Sequence, residues 1–161
     1  MNIVVAVDKN WGVGKQGQLL FHLPPDLQFF KQKTLGKVVI MGQNTLLSLP
    51  NSKALPNRTN FVLTFDKDFK PEGCRMFFGI DDVLQAVKKY PPEDVFIIGG
   101  ASVYKQFAPY CEYAYITKIF ADGNADCFFY TCKDWEIIEQ SETRNYNGIE
   151  FAFCTLKNPN K

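Results

Sequence analysis

The sequence predicts an α/β protein: one mostly parallel central sheet of about eight strands, ending in an antiparallel C-terminal hairpin and flanked by about four helices. Three observations carry that expectation. Short β-branched and aromatic runs recur along the chain, helical stretches separate them, and an Asn147-Gly148 turn divides two extended runs near the C-terminus.

Val4–Val7 opens the series as an apolar run of the kind buried on both faces of a sheet, and Val38–Met41, Asn60–Thr64 and Val95–Ile98 repeat the pattern. Tyr113–Phe120 adds a further strand. Helices are expected at Pro25–Leu35, Gln43–Leu49, Asp81–Tyr90 and Ser102–Phe107. Trp135–Ser141 and Ile149–Leu156 are extended on either side of Asn145–Gly148, a strong signal for antiparallel pairing. Loops fall at Asp8–Leu20, Pro50–Asn57 and Asp122–Asp134. With no repeat and no linker, residues 1–161 are expected to form one domain.

The bulk composition excludes several function classes. A net charge of +1 with no basic stripe argues against nucleic acid or an anionic membrane as partner. No apolar stretch reaches the length of a membrane span, and the N-terminus enters a strand pattern instead of a signal core. The five cysteines are odd in number and scattered, which suits reduced thiols in the cytoplasm better than disulfides or a zinc site. A single histidine, His22, leaves no histidine-rich metal centre, so no metal is expected. A monomer is the default, since no strongly apolar exposed stripe demands a partner.

One carboxylate stands out. In Phe21-His22-Leu23-Pro24-Pro25-Asp26-Leu27-Gln28-Phe29-Phe30, the two prolines suit the first turn of a helix and place Asp26 within it. Phe30 lies one turn further along the same face. A carboxylate walled by Phe and Leu is poorly solvated, so its pKa rises and its charged form seeks a donor. It fits a flat ligand with adjacent N–H groups; it equally fits plain stabilisation at a helix N-terminus.

Other segments point to a dinucleotide. Met41-Gly42-Gln43-Asn44-Thr45 and Ile98-Gly99-Gly100-Ala101-Ser102 each join a strand to a helix through glycine, where backbone N–H groups approach a pyrophosphate. Ordinary tight turns use glycine at such junctions too. The P-loop pattern is absent, so two separated junctions favour a dinucleotide lying across the sheet. The glycine-containing loop Trp11–Leu20 has the character of a lid or of a plain surface loop. Arg58, just before a strand, suits either a bidentate grip on a carboxylate or simple solvation.

Taken in order, these segments resemble dihydrofolate reductase. The resemblance runs from Ile3–Asp8 through Gly12–Lys15, His22–Leu27, Val39–Gly42 and Leu55–Arg58 to Ile97–Tyr104, Tyr115–Thr117 and Asp126–Phe129, nearly the whole chain. It implies NADPH-dependent reduction of 7,8-dihydrofolate to tetrahydrofolate, with hydride delivered to pterin C6 and N5 protonated through a water. It also implies binding of diaminopyrimidine and pteridine antifolates.

The same resemblance assigns residues. Asp26 would hold the 2-amino and N3 edge of the pterin, oriented by Thr117. Val4, Val5, Leu27, Phe30 and Leu49 would pack the rings, Leu55 the benzoyl group, with Lys31 and Ile98 beside the substrate and Arg58 on the glutamate α-carboxylate. Ala6, Ile98 and Tyr104 would line the nicotinamide. Gly42, Asn44, Thr45 and the run Gly99, Gly100, Ala101, Ser102 and Val103 would serve the pyrophosphate side. Val13, Gly14, Gly17 and Leu19 would form the lid, Leu19 standing against the nicotinamide.

Departures from the family pattern stand at the far end of the cofactor, where Leu63 and Thr64 lead into Phe65. Gln43, Phe65 and Phe78 occupy positions usually polar or basic, so NADH is not excluded as a cofactor, and Lys67 and Arg75 are the nearby cations in sequence. Leu20-Phe21 replaces the usual Pro-Trp; Phe21 lacks the indole N–H that helps hold the catalytic water. Two alternatives accompany the reductase reading: a pyrimidine reductase of riboflavin synthesis on the same fold, and a folate- or nucleotide-binding protein without turnover.

Overall fold

The computed structural model describes residues 1–161. Strand β1 (Asn2–Val7) starts the chain, and a short strand β2 (Gly12–Gly14) follows. Helix α1 (Pro24–Thr34) leads into β3 (Val38–Gly42), which turns at once into α2 (Gln43–Ser48). β4 (Thr59–Leu63) and β5 (Cys74–Phe77) precede α3 (Ile80–Ala86). β6 (Val95–Gly99) runs directly into α4 (Ala101–Phe107), and β7 (Tyr113–Ile119) follows. β8 (Cys127–Phe128), β9 (Glu136–Gln140), β10 (Arg144–Tyr146) and β11 (Ile149–Lys157) complete the chain.

The main sheet has the order β10-β11-β7-β1-β6-β3-β4-β5, with β9 also paired to β11. From β7 to β5 every pairing is parallel, and β11 runs antiparallel to β7, β9 and β10. Parallel strands need cover on both faces, which explains why their sequences are continuous apolar runs. In β1 the alternation of side chains sends Ile3, Val5 and Val7 to one core and Val4 to the other. The first core also takes Phe61, Phe77 and Phe107, and the second takes Val39, Met41, Leu46 and Ile98.

The predicted architecture and the observed one agree, with local differences. Strand β5 lies at the sheet edge, where the polar alternation Cys74-Arg75-Met76-Phe77 hides it from a search for apolar runs. The two long loops expected around residues 8–20 and 122–134 contain β2 and β8, which pair antiparallel with each other. The Asn147-Gly148 turn closes β10 on β11, not the earlier extended run; both turn residues have positive φ, at 50° and 87°. The earlier run, β9, pairs with the far end of β11, opposite Cys154–Lys157. The helix expected through Tyr90 ends at Ala86 and finishes as a short 3-10 turn.

This topology lines up the carboxyl ends of six neighbouring parallel strands. In open α/β sheets ligands bind beyond that edge.

Candidate active site

Helix α1 begins with Pro24 and Pro25, whose missing N–H groups lie where a helix leaves donors unpaired. Leu23, buried against Ile119 and Phe151, anchors the turn, and its carbonyl accepts from the Asp26 and Leu27 N–H groups. Asp26 is thereby held over β7. There the Thr117 hydroxyl donates to Asp26 Oδ1 at 2.6 Å, and Thr117 is itself 1% exposed, opposite Ala6 of β1. Burial pushes the Asp26 carboxyl above the usual carboxylate range, and the Thr117 bond opposes that rise without cancelling it. The result is a carboxyl group readier than usual to hold a proton.

The wall beside Asp26 comes from the second core. Phe30, Leu49 and Leu55 are partly buried against the cluster that contains Val4 and Ile98. Leu27 and Lys31 stand exposed on α1. Val5 differs from expectation: strand alternation sends its side chain to the opposite face, among Ile97, Tyr104 and Ile116, so its side chain is core and not a wall of the slot.

Arg58 stands at the other rim. Its Nε donates to Thr34 Oγ1 at 3.2 Å and Nη1 to the Pro56 carbonyl at 3.0 Å, with the guanidinium carbon 6.0 Å from the Phe30 ring centre. Asn60 closes the preceding turn through paired bonds with the Leu55 N–H and carbonyl, both 3.0 Å. The apolar slot therefore has a carboxylate at one end and a positioned cation at the other.

Between β6 and β3 two corners approach closely. A Cβ added to Gly100 would lie 3.6 Å from Thr45 Oγ1, and one added to Gly42 would lie 3.2 Å from a Val103 methyl. Gly99 has φ of 121°, a region that disfavours any side chain, and a Cβ there would press within 3.3 Å of the Tyr104 ring. Tyr104 is buried and its hydroxyl donates to the Val4 carbonyl at 3.0 Å, tying α4 to β1. Ala101, Ser102 and Val103 continue from this corner into α4. The bare backbone leaves room for a phosphate-bearing ligand, so the residues present fit a dinucleotide running along the strand ends.

Further along, the Thr64 hydroxyl donates to the Gln43 carboxamide oxygen and accepts from the Asp66 N–H at 3.0 Å. Asn44 is exposed and Leu63 partly buried. Phe65 is 100% exposed and Phe78 47% exposed.

The loop after β1 is clamped from below. Asp8 is 3% exposed, and its carboxylate accepts from the Asn10, Gly12 and Gly123 N–H groups at 2.8–3.0 Å. Asp126 accepts from the Gln16 N–H at 2.9 Å and donates its own N–H to the Gly14 carbonyl at 3.0 Å. Val13 packs on the first core, Gly17 marks the turn between Lys15 and Gln18, and Leu19 at the outer end is 65% exposed. Phe21 is partly buried beside Leu23. Sequence reasoning missed Asp8 and Asp126 as organisers of this loop; a lone aspartate ending a buried strand was the available signal.

A groove of about 840 Å³ opens on another side of α1, lined by residues including Phe29, Lys33, Tyr115, Arg144 and Phe153 but not by Asp26. The chemistry follows the carboxylate and not the size of the cavity.

A family model for dihydrofolate reductase matches residues 1–158. The chain belongs to the dihydrofolate reductase family. It is 34% identical over 167 aligned positions to the dihydrofolate reductase of Bacillus subtilis (strain 168), covering 100% of this chain and 97% of that protein. The Staphylococcus aureus dihydrofolate reductase is 37% identical over 160 positions, covering 97% and 96%. Among solved structures, dihydrofolate reductase from Enterococcus faecalis, complexed with NADP(H) and RAB-propyl, superposes with a TM-score of 0.86 at 31% identity, covering 97% of this chain and 94% of that one. For a dihydrofolate reductase fold, the Asp26–Thr117 pair lies where the strand ends and α1 converge.

Proposed function

We propose that this protein reduces 7,8-dihydrofolate to tetrahydrofolate with NADPH. The observation that carries the reading is the partly buried Asp26 carboxyl, bonded to Thr117 at 2.6 Å beside two bare glycine corners. When bound, the reduced nicotinamide supplies the hydride that arrives at pterin C6. The chain's own residues do the rest.

Asp26 pairs with the 2-amino and N3–H edge of the pterin through charge-assisted bonds, and Thr117 fixes its orientation. From that edge the carboxyl is remote from N5, so the proton reaches N5 through a water while Asp26 stabilises the protonated substrate. Val4, Leu27, Phe30, Leu49 and Ile98 exclude solvent around the ring. Leu55 covers the benzoyl group, and Arg58 grips the glutamate α-carboxylate with parallel bonds. Ala6, Tyr104 and the Gly99–Gly100 backbone face the nicotinamide end, with Gly42, Thr45 and residues 101–103 along the pyrophosphate. The loop carrying Val13, Gly14, Gly17 and Leu19 covers the site, and Phe21 stands where the catalytic water is held.

By the same reading residues 1–161 act as one domain and as a monomer, and diaminopyrimidine antifolates compete for the Asp26 edge. The five free cysteines suit a reducing compartment, which supports the reading of a cytoplasmic protein. No helix is long and apolar enough to cross a membrane.

The test follows reduced-nicotinamide absorbance with dihydrofolate, for the native protein and for Asp26→Asn. Turnover that collapses in the variant supports the assignment. Ligand binding without turnover in the native protein would make it a folate-binding protein instead.

A further inference from the structure

The reading above lays a dinucleotide along the strand ends, and the sheet order then decides where its far end falls. Asp26 and Thr117 mark the reacting end at β7. From there the ligand passes β1, crosses the glycine corners of β6 and β3, and ends over β4 and β5. The Thr64 N–H donates to the Phe77 carbonyl at 3.0 Å, so Phe65 and Phe78 leave adjacent strand ends together.

This far end has an unusual chemistry for receiving a phosphomonoester. The residues after β3, β4 and β5 at this edge, 42–45, 64–66 and 78–82, include no arginine or lysine, whereas Asp66, Asp81 and Asp82 are present; the exposed Lys67 follows directly, beside Asp66 and Asp68. Gln43 and Thr64 satisfy each other by a hydrogen bond. Arg75, which lines a 460 Å³ cleft with Phe78 and Asp82, lies over the rings of Phe77 and Phe61, 4.9 and 5.7 Å from their centres. A fully exposed phenylalanine gains by covering its face with a flat apolar surface, and the two rings together suit an adenine.

We propose that Phe65 and Phe78 hold the adenine by ring contact, and that Gln43 and Phe65 set a cofactor site that barely distinguishes NADPH from NADH. The proposal rests on the reductase reading for its orientation, but it concerns binding and is measured separately. The hydride-transfer end is the same for both cofactors; only the 2′-phosphate differs. A charge-assisted contact to that phosphate is worth roughly tenfold to a hundredfold in affinity, and the strand-end residues themselves offer none, which leaves Lys67 and Arg75 as the cations to be tested.

The experiment compares dissociation constants of NADPH and NADH by calorimetry, alongside kcat/KM for each with dihydrofolate. The expected ratio, NADPH over NADH, is below about tenfold and nearly independent of salt. Phe65→Arg, and separately Gln43→Arg, should raise the ratio by about tenfold or more, with the gain lost at high salt. Arg75→Gln and Lys67→Gln should each leave the ratio where it is.

A larger native preference for NADPH overturns the proposal, as does a ratio that neither arginine variant moves or that falls in Arg75→Gln or Lys67→Gln. Equal binding of both cofactors without turnover would uphold it while sinking the reductase reading. Failure to bind either would overturn both.

Discussion

Thr117 on β7 donates its hydroxyl to Asp26 on α1 at 2.6 Å, across 91 residues of sequence. The bond joins the first turn of a helix to a strand in the middle of the sheet. It also sets the proton affinity of the carboxyl, because burial raises the Asp26 pKa and this bond pulls against the rise.

Replacing Asp26 by Asn therefore has two opposite effects. Turnover at neutral pH should fall by about a hundredfold or more, the scale of a lost acid–base contribution, and the loss should shrink in acid where solvent supplies the proton. Stability should move the other way. A carboxyl whose folded pKa lies above its unfolded value costs nothing below about 3.9, disfavours the fold increasingly as pH rises from there, and reaches its full cost once pH passes the folded pKa. The Asn variant should thus gain on the native protein as pH rises through that window. Thermal unfolding across acid to neutral pH checks the sign.

Thr117→Val keeps the shape and removes the donor. Without the bond that lowers it, the Asp26 pKa should climb further, moving the falling limb of the pH–rate profile to higher pH. The lost hydrogen bond should cost about 1 kcal/mol of stability. Thr117→Ser should restore the profile; a profile unchanged in Val would mean that the hydroxyl does not tune the carboxyl.

How much of this was legible in the sequence depends on whether the cause is local. Val38–Met41 and Val95–Ile98 announce buried parallel strands because both faces of each are covered. Asp26 is announced by the two prolines that start its helix. Asp126 leaves no such trace, and Asp8 leaves only that of a lone aspartate ending a buried strand. Asp8 accepts from Gly123, 115 residues away, and Asp126 from Gln16, 110 residues away; both partners are main-chain N–H groups, which every residue but proline carries. Edge strand β5 was hidden for a related reason, since a strand covered on fewer sides tolerates Arg75 and loses its apolar signature. Val5 was placed on the slot by resemblance, whereas the two-residue period of β1 commits its side chain to the other core.

Arg58 offers a test of substrate recognition separate from catalysis. Its guanidinium is held by Thr34 and the Pro56 carbonyl, and burial lowers its pKa while leaving it cationic. Arg58→Leu should raise KM for dihydrofolate by roughly tenfold to a hundredfold, as expected for losing a charge-assisted pair. A dihydropterin lacking the glutamate should be reduced by the variant and the native protein alike. If KM for both substrates rose together, the arginine would be supporting the rim and not gripping the carboxylate.

Asp8 provides the converse of Asp26. Burial pushes its carboxyl up, but hydrogen bonds from the Gly123, Gly12 and Asn10 N–H groups together outweigh it and bring its pKa below the usual value. A depressed folded pKa means stabilisation that is complete above about 3.9 and lost as pH falls through the lower folded value. Asp8→Ala should cost about 1–3 kcal/mol at neutral pH, because buried donors lose their acceptor, and the deficit should narrow in strong acid. The damage should also spread along the chain: Gly12 opens β2, so freeing its N–H loosens the β2–β8 pairing that seats the loop over the site. Limited proteolysis should then cut within residues 11–20 faster in the variant, and KM for the cofactor should rise more than kcat falls. Unchanged cleavage together with the predicted loss of stability would confine Asp8 to the core and release the loop from its control.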